Sequence, residues 1–186
     1  MSSSRRAAST AAWFATIAVA TSAPAGGPPS TEVLAALSGV DFLPGAERLN
    51  AILNGDLTEL ADVANGDGDP GVRVRAYRSL GQFDDDRARQ GLKIGIDRYR
   101  TAASGTELLY LMAATEGLGV IGGPGDVPVL GPLLDAPSRD LRVVVARALG
   151  EIGDDAACDL LRRRAGVEPE EQVGIEIDLA LASCTP

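Results

Sequence analysis

The chain has 186 residues, 45% of them apolar, so it can bury a core; only 4% are aromatic and histidine is absent. Without histidine there is no Ser-His-Asp or Cys-His catalytic arrangement and no histidine-based zinc or non-haem iron site, and two cysteines are too few for a cysteine-only zinc site. A net charge of −9 repels phosphate backbones and anionic lipid heads, which makes nucleic acid a poor partner.

Residues 1–25 have the three parts of an export signal. Arg5 and Arg6 form a basic start, Ala11 to Ala20 (AAWFATIAVA) is an uncharged apolar run, and Ala23-Pro24-Ala25 offers small residues for cleavage before Gly26. The run is too short for a membrane-spanning helix, so no stable membrane insertion is expected after cleavage. Ser4-Arg5-Arg6 resembles a twin-arginine motif, but Ala7 and Ala8 stand where that motif prefers a large apolar residue, so the export route stays open. Residues 26–31 read as a flexible leader, and 32–186 as the folded domain.

Two short helices, 32–38 and 46–53, are expected next, joined through Phe42-Leu43-Pro44-Gly45 as an N-terminal cap. Beyond them the chain repeats. Asp69–Asp84 and Ser138–Gly153 align without gaps, each with an apolar-Arg pair (Val72-Arg73, Leu141-Arg142) and a Leu-Gly-x-apolar ending. Further copies end at Leu118-Gly119-Val120-Ile121 and Leu181-Ala182-Ser183-Cys184, so the marks fall at 81, 119, 150 and 182. That spacing is one helical hairpin with its turns.

Counting from each Leu, apolar or small residues recur at −8, −4, −1, 0 and +3, one face of an α-helix. The copies read Val72, Ala76, Ser79, Leu80, Phe83; Tyr110, Ala114, Gly117, Leu118, Ile121; Leu141, Val145, Ala148, Leu149, Ile152; and Val173, Ile177, Ala180, Leu181, Cys184. More polar helices at 56–65, 85–97, 126–135 and 155–164 each precede and pair with one of these. Asp69-Pro70, Glu168-Pro169, Asp154 and the capping-box spacing Ser104 to Glu107 mark helix starts.

These marks identify a resemblance to HEAT-like repeats, particularly the bacterial repeats also seen in phycobilisome lyase-type proteins. It is carried by Asp69-Pro70, Val72-Arg73, Ala76, Leu80-Gly81, Leu141-Arg142 and Ala148-Leu149-Gly150-Glu151-Ile152-Gly153-Asp154. The resemblance implies an all-α superhelix of about four hairpins, with the second helix of each on the concave side. It implies that Arg73 and Arg142 pair with acids in neighbouring repeats. Leu in the Leu-Gly mark would fill the core, and Gly would permit close approach and a helix ending.

Other features read as structure. Asp84-Asp85-Asp86 suits a helix start and lacks the spacing of a calcium loop, as does Asn65-Gly66-Asp67-Gly68-Asp69. Gly117-x-Gly119-x-x-Gly122-Gly123 matches a nucleotide-binding spacing but follows no strand, and reads as a repeat ending plus a turn. Ser104, Thr106 and Ser183 have no visible base. Cys158 and Cys184 are expected as two buried thiols, because their heights along the last hairpin differ by ~10 Å at the helical rise, and a bridge needs the last turn to unwind.

The expected function is a non-catalytic, protein-binding scaffold of the cell envelope or secreted space, without cofactor or metal. Its candidate contact residues on the second helices are Arg75, Arg78, Glu116, Arg147 and Glu151, a modest basic patch suited to a partner's carboxylates. One alternative is a lyase-type HEAT enzyme or chromophore-handling factor. A bilin lyase conflicts with an export signal, the family's di-iron hydroxylases need histidine, and its DNA glycosylases use a basic face. The other alternative is a purely structural accessory module.

Overall fold

The structure is a computed structural model that describes residues 29–39 and 42–184. The expected signal, 1–25, and residues 26–28 of the leader lie outside the described residues. Among the described residues every regular element is helical. An N-terminal pair, α1 (Thr31–Leu37) and α2 (Ala46–Leu53), precedes four hairpins. These are α3 (Thr58–Asn65) with α4 (Pro70–Leu80), α5 (Asp86–Tyr99) with α6 (Gly105–Ile121), a broken segment containing α7 (Val127–Leu130) with α8 (Arg139–Ile152), and α9 (Asp155–Ala165) with α10 (Glu171–Leu181).

Local chemistry places the helix starts. The Asp69 carboxylate accepts from the Gly71 and Val72 N–H groups, with Pro70 in the first turn of α4. Asp85, Ser138 and Asp154 cap α5, α8 and α9 in the same way. Two expected starts differ. The Ser104 side chain caps nothing, because Gly105 enters α6 at φ +72°, off the geometry a capping box needs. α10 begins at Glu171 rather than Pro169, because the Glu168 carboxylate is turned inward. The single helix expected at 126–135 is also broken. Pro132 cannot donate to the carbonyl four residues back, and the chain tightens into 3-10 turns at Pro124–Asp126 and Gly131–Asp135 around α7.

The core is one continuous cluster running through all the hairpins and the N-terminal pair. Register positions −8, −4 and −1 are buried in every copy, and Leu80, Leu118 and Leu149 are fully buried at position 0. The second helices α4, α6, α8 and α10 stack directly on one another, more closely than the first helices do. That places them on the inner side of the curve.

Small residues permit this stacking. A Cβ on Gly81 would lie 2.6 Å from the Gly117 Cα, one on Gly119 2.6 Å from the Ala148 Cα, and one on Gly150 2.9 Å from the Ala180 Cα. Gly81 follows the last residue of α4, but Gly119 and Gly150 lie inside α6 and α8, so close approach is their role and helix ending is not.

The two repeat arginines have different partners. Arg142 forks onto Glu168 at 2.8 and 3.0 Å, and Arg164 bonds the same carboxylate, whose side chain is only 1% exposed. Arg73 meets no acid among the described residues. Its guanidinium lies 4.0 Å from the Tyr110 ring centroid and donates to the Tyr99 hydroxyl and the Ala64 carbonyl. Tyr77 packs beside them and donates to Asn65, and burial pushes its phenol up to about 12. The expected acid partner holds for the third repeat and is replaced by a tyrosine cluster in the first.

The cysteines also depart from expectation. Cys158 and Cys184 form a disulfide, with Cα atoms 5.9 Å apart. α10 stops at Leu181, and the Cys184 N–H bonds the Leu181 carbonyl in a tight turn that carries the sulfur back to α9. Closing a loop of this length contributes ~3 kcal/mol in the chain-entropy account.

Glu168 makes stability depend on pH. Burial alone would raise its pKa, but hydrogen bonds from Arg142, Arg164 and the Glu170 N–H outweigh it and bring the carboxyl from 4.5 to about 2. Because the folded value is the lower one, this contribution is complete above about pH 4.5 and is lost as pH falls toward 2, on the order of 3 kcal/mol in all. Urea titrations at several pH values should show Glu168→Gln destabilised at pH 7 and largely relieved of this pH dependence. An unchanged slope in the variant would contradict the assignment.

Candidate protein-binding face

The outward side of the four stacked second helices forms one surface. The steps of three and four that bury one face of each helix leave Val74, Arg75 and Arg78 of α4 on the other side. They leave Leu109, Met112, Glu116 and Val120 of α6 there, then Val144, Arg147 and Glu151 of α8, and Glu176 and Leu179 of α10. All five expected contact residues therefore lie on this surface. Arg78, Glu116, Arg147 and Glu151 line a single hollow of about 230 Å3 between α4, α6 and α8, with Met112, Val120, Val144 and Ala148. Arg75 sits apart, in a neighbouring hollow between α4 and α6 with Val74, Thr106 and Leu109.

The charges are paired across helices. Arg78 Nε lies 3.1 Å from Glu116 Oε2, joining α4 to α6. Arg147 makes two parallel hydrogen bonds of 3.0 Å to Glu176, joining α8 to α10. Hydrogen bonding to Glu176 first, and the charges of Glu176, Glu116 and Glu151 besides, raise the Arg147 pKa against the opposing effect of burial. Arg75 is half-buried and makes no salt bridge among the described residues.

This revises the expected basic patch. Three arginines face three glutamates, and the Arg147 fork is filled by Glu176, which sequence reasoning did not single out. The face is a charge-compensated ladder. Its exposed apolar residues were missed as well: Leu109, Val120 and Leu179 are 53%, 60% and 62% exposed. A signal was present in α6 (GTELLYLMAATEGLGVI), which is apolar on nearly every side and exceeds what one buried face requires. The surface can supply an apolar contact rimmed by fixed charges, the composition of a recognition patch.

The acidic runs serve local structure. Asp85 caps α5, and Arg89 bonds both Asp84 and Asp86. Among the described residues no group of three or more Cys, Asp or Glu side chains is placed to hold a metal ion. Of the nucleotide-like glycines, Gly117 and Gly119 are packing positions inside α6, and Gly122 follows its end. No helix among the described residues is long and apolar enough to cross a membrane.

Comparison with known families agrees with the architecture. Residues 102–182 match the model for HEAT repeats, covering the second and third repeat marks and the last hairpin. Over these residues the chain is similar to HEAT repeats, and the stacked hairpins give the described residues the architecture of a HEAT-like α-solenoid. No curated protein matches the chain.

Proposed function

We propose that the chain is a non-catalytic scaffold that binds a protein along the outward face of α4, α6, α8 and α10. The carrying observation is the exposed apolar series Leu109, Val120 and Leu179, with half-buried Val74, Met112 and Val144 between, laid across helices that the Arg78–Glu116 and Arg147–Glu176 pairs hold in register. Removing such side chains from water is favourable at roughly 25 cal/mol per Å2. HEAT repeats generally mediate protein contacts, which supports the reading. Arg75 is the residue free to meet a partner's carboxylate.

The setting we propose is the cell envelope or secreted space. The signal-like residues 1–25 support it. The Cys158–Cys184 disulfide supports it independently, because such bonds persist in oxidising compartments.

Crosslinking pull-downs from native envelope and medium fractions test the face. A partner captured by the chain should be lost with Leu109→Glu/Val120→Glu and weakened with Arg75→Glu; equal capture by all three would rule out this surface. N-terminal sequencing of the protein from its native host tests the setting. The expected start is Gly26, with both cysteines resistant to alkylation until reduced. A start at Met1 with alkylatable thiols would overturn export.

A further inference from the structure

The two ends of the helix stack differ. At the N-terminal end, α2 turns Glu47, Arg48, Asn50 and Ala51 to solvent, a mostly polar cap. At the other end, α10 is apolar on two opposite sides. Val173, Ile177 and Ala180 are buried, and Ala180 meets Gly150 of α8. Ile175, Leu179 and Ala182, at steps of four and three, point the other way; Ile175 is 55% and Leu179 62% exposed, and Ala182 is exposed.

By register, Leu179 and Ala182 of the last copy correspond to Arg147 and Gly150 of the third. Gly150 is the residue of α8 on which α10 packs. The outer stripe of α10 therefore occupies the position on which a further helix would stack, with a small residue at the point of closest approach.

Charge selects the occupant. Glu170, Glu171 and Asp178 are exposed around the stripe, and α10 contains no Lys or Arg. Beside it on α9, Arg162 is already paired with Asp159 at 2.9 Å, and Arg163 lines the separate hollow by Leu134 and Leu160. A second copy docking through the same face would set these acids against themselves, which disfavours a two-fold dimer. A helix with basic flanks would meet them with opposite charge.

We propose that the end face of α10 docks an amphipathic helix of a partner protein, its apolar stripe seated on Ile175, Leu179 and Ala182 and its basic flanks beside Glu171 and Asp178. The partner adds one more layer to the stack. This site shares Leu179 with the proposed outward face but turns over the end of the stack through Ile175 and Ala182, away from Leu109 and Val120.

The test uses the full chain with its disulfide intact and two synthetic peptides of about 18 residues, long enough to form the helix when bound. Both carry one leucine stripe; lysines flank it in one and glutamates in the other. Fluorescence anisotropy should show the lysine peptide binding at least about tenfold more tightly. Ile175→Ser/Leu179→Ser, at exposed positions, should abolish that preference, and Leu109→Ser/Val120→Ser should leave it unchanged. Equal binding of the two peptides, or loss of the preference in the Leu109/Val120 variant, would overturn the proposal. So would a concentration-dependent dimer in sedimentation that the Ile175/Leu179 variant removes, since that result would assign the face to a second copy.

Discussion

Backbone-to-backbone contact between successive second helices is the constraint on which the rest of the molecule depends. Gly81 on Gly117, Gly119 on Ala148 and Gly150 on Ala180 leave no room for larger groups at these crossings. Each hairpin has too little apolar surface to bury by itself, so its stability lies in the junctions. The small residues let the Leu and Val side chains on either side interlock across those junctions. Gly inside a helix is unfavourable by roughly 1 kcal/mol relative to Ala, and here close packing offsets it.

The surfaces follow from this contact. Helices stacked at close range bring residues at corresponding register positions within salt-bridge distance. Arg78 and Glu116 both stand two places before their repeat Leu and pair across one junction; Arg147 stands at that place in the next copy and reaches Glu176 across another. Exposed pairs of this kind contribute only ~0–1 kcal/mol. Their larger effect is to leave a neutral face on an acidic chain, with apolar side chains between the fixed charges. The buried Arg142–Glu168–Arg164 group is different, because it ties α8 to the linker before α10 and its carboxylate is sealed from water.

Much of the architecture was legible in the sequence because it is periodic. The Leu-Gly marks and the register from −8 to 0 located the second helices and a buried stripe on each, but not Tyr77, Leu111, Ala113 and Ala146, which are buried beside it. The misreadings share a cause: they depend on contacts distant in sequence or on local backbone geometry. Arg73 and Arg142 occupy equivalent positions, but whether tyrosines or Glu168 surround them is decided by neighbouring helices. The disulfide depended on how the last turn closes, which helical rise does not describe. On the binding face, charged residues drew attention because they are expected outside. The exposed Leu109, Val120 and Leu179 resemble core residues until the buried side of each helix is known.

A paired substitution tests the central constraint most directly. Gly119→Ala and Gly174→Ala both replace glycine by alanine within a helix, a change that ordinarily stabilises by roughly 1 kcal/mol. At Gly119 the new methyl meets the Ala148 backbone, whereas at Gly174 nothing lies within 4 Å. Urea denaturation should show Gly119→Ala destabilised by ~1–3 kcal/mol through overpacking and Gly174→Ala modestly stabilised. Equal stabilisation of both variants would contradict the view that close helix contact holds the stack together.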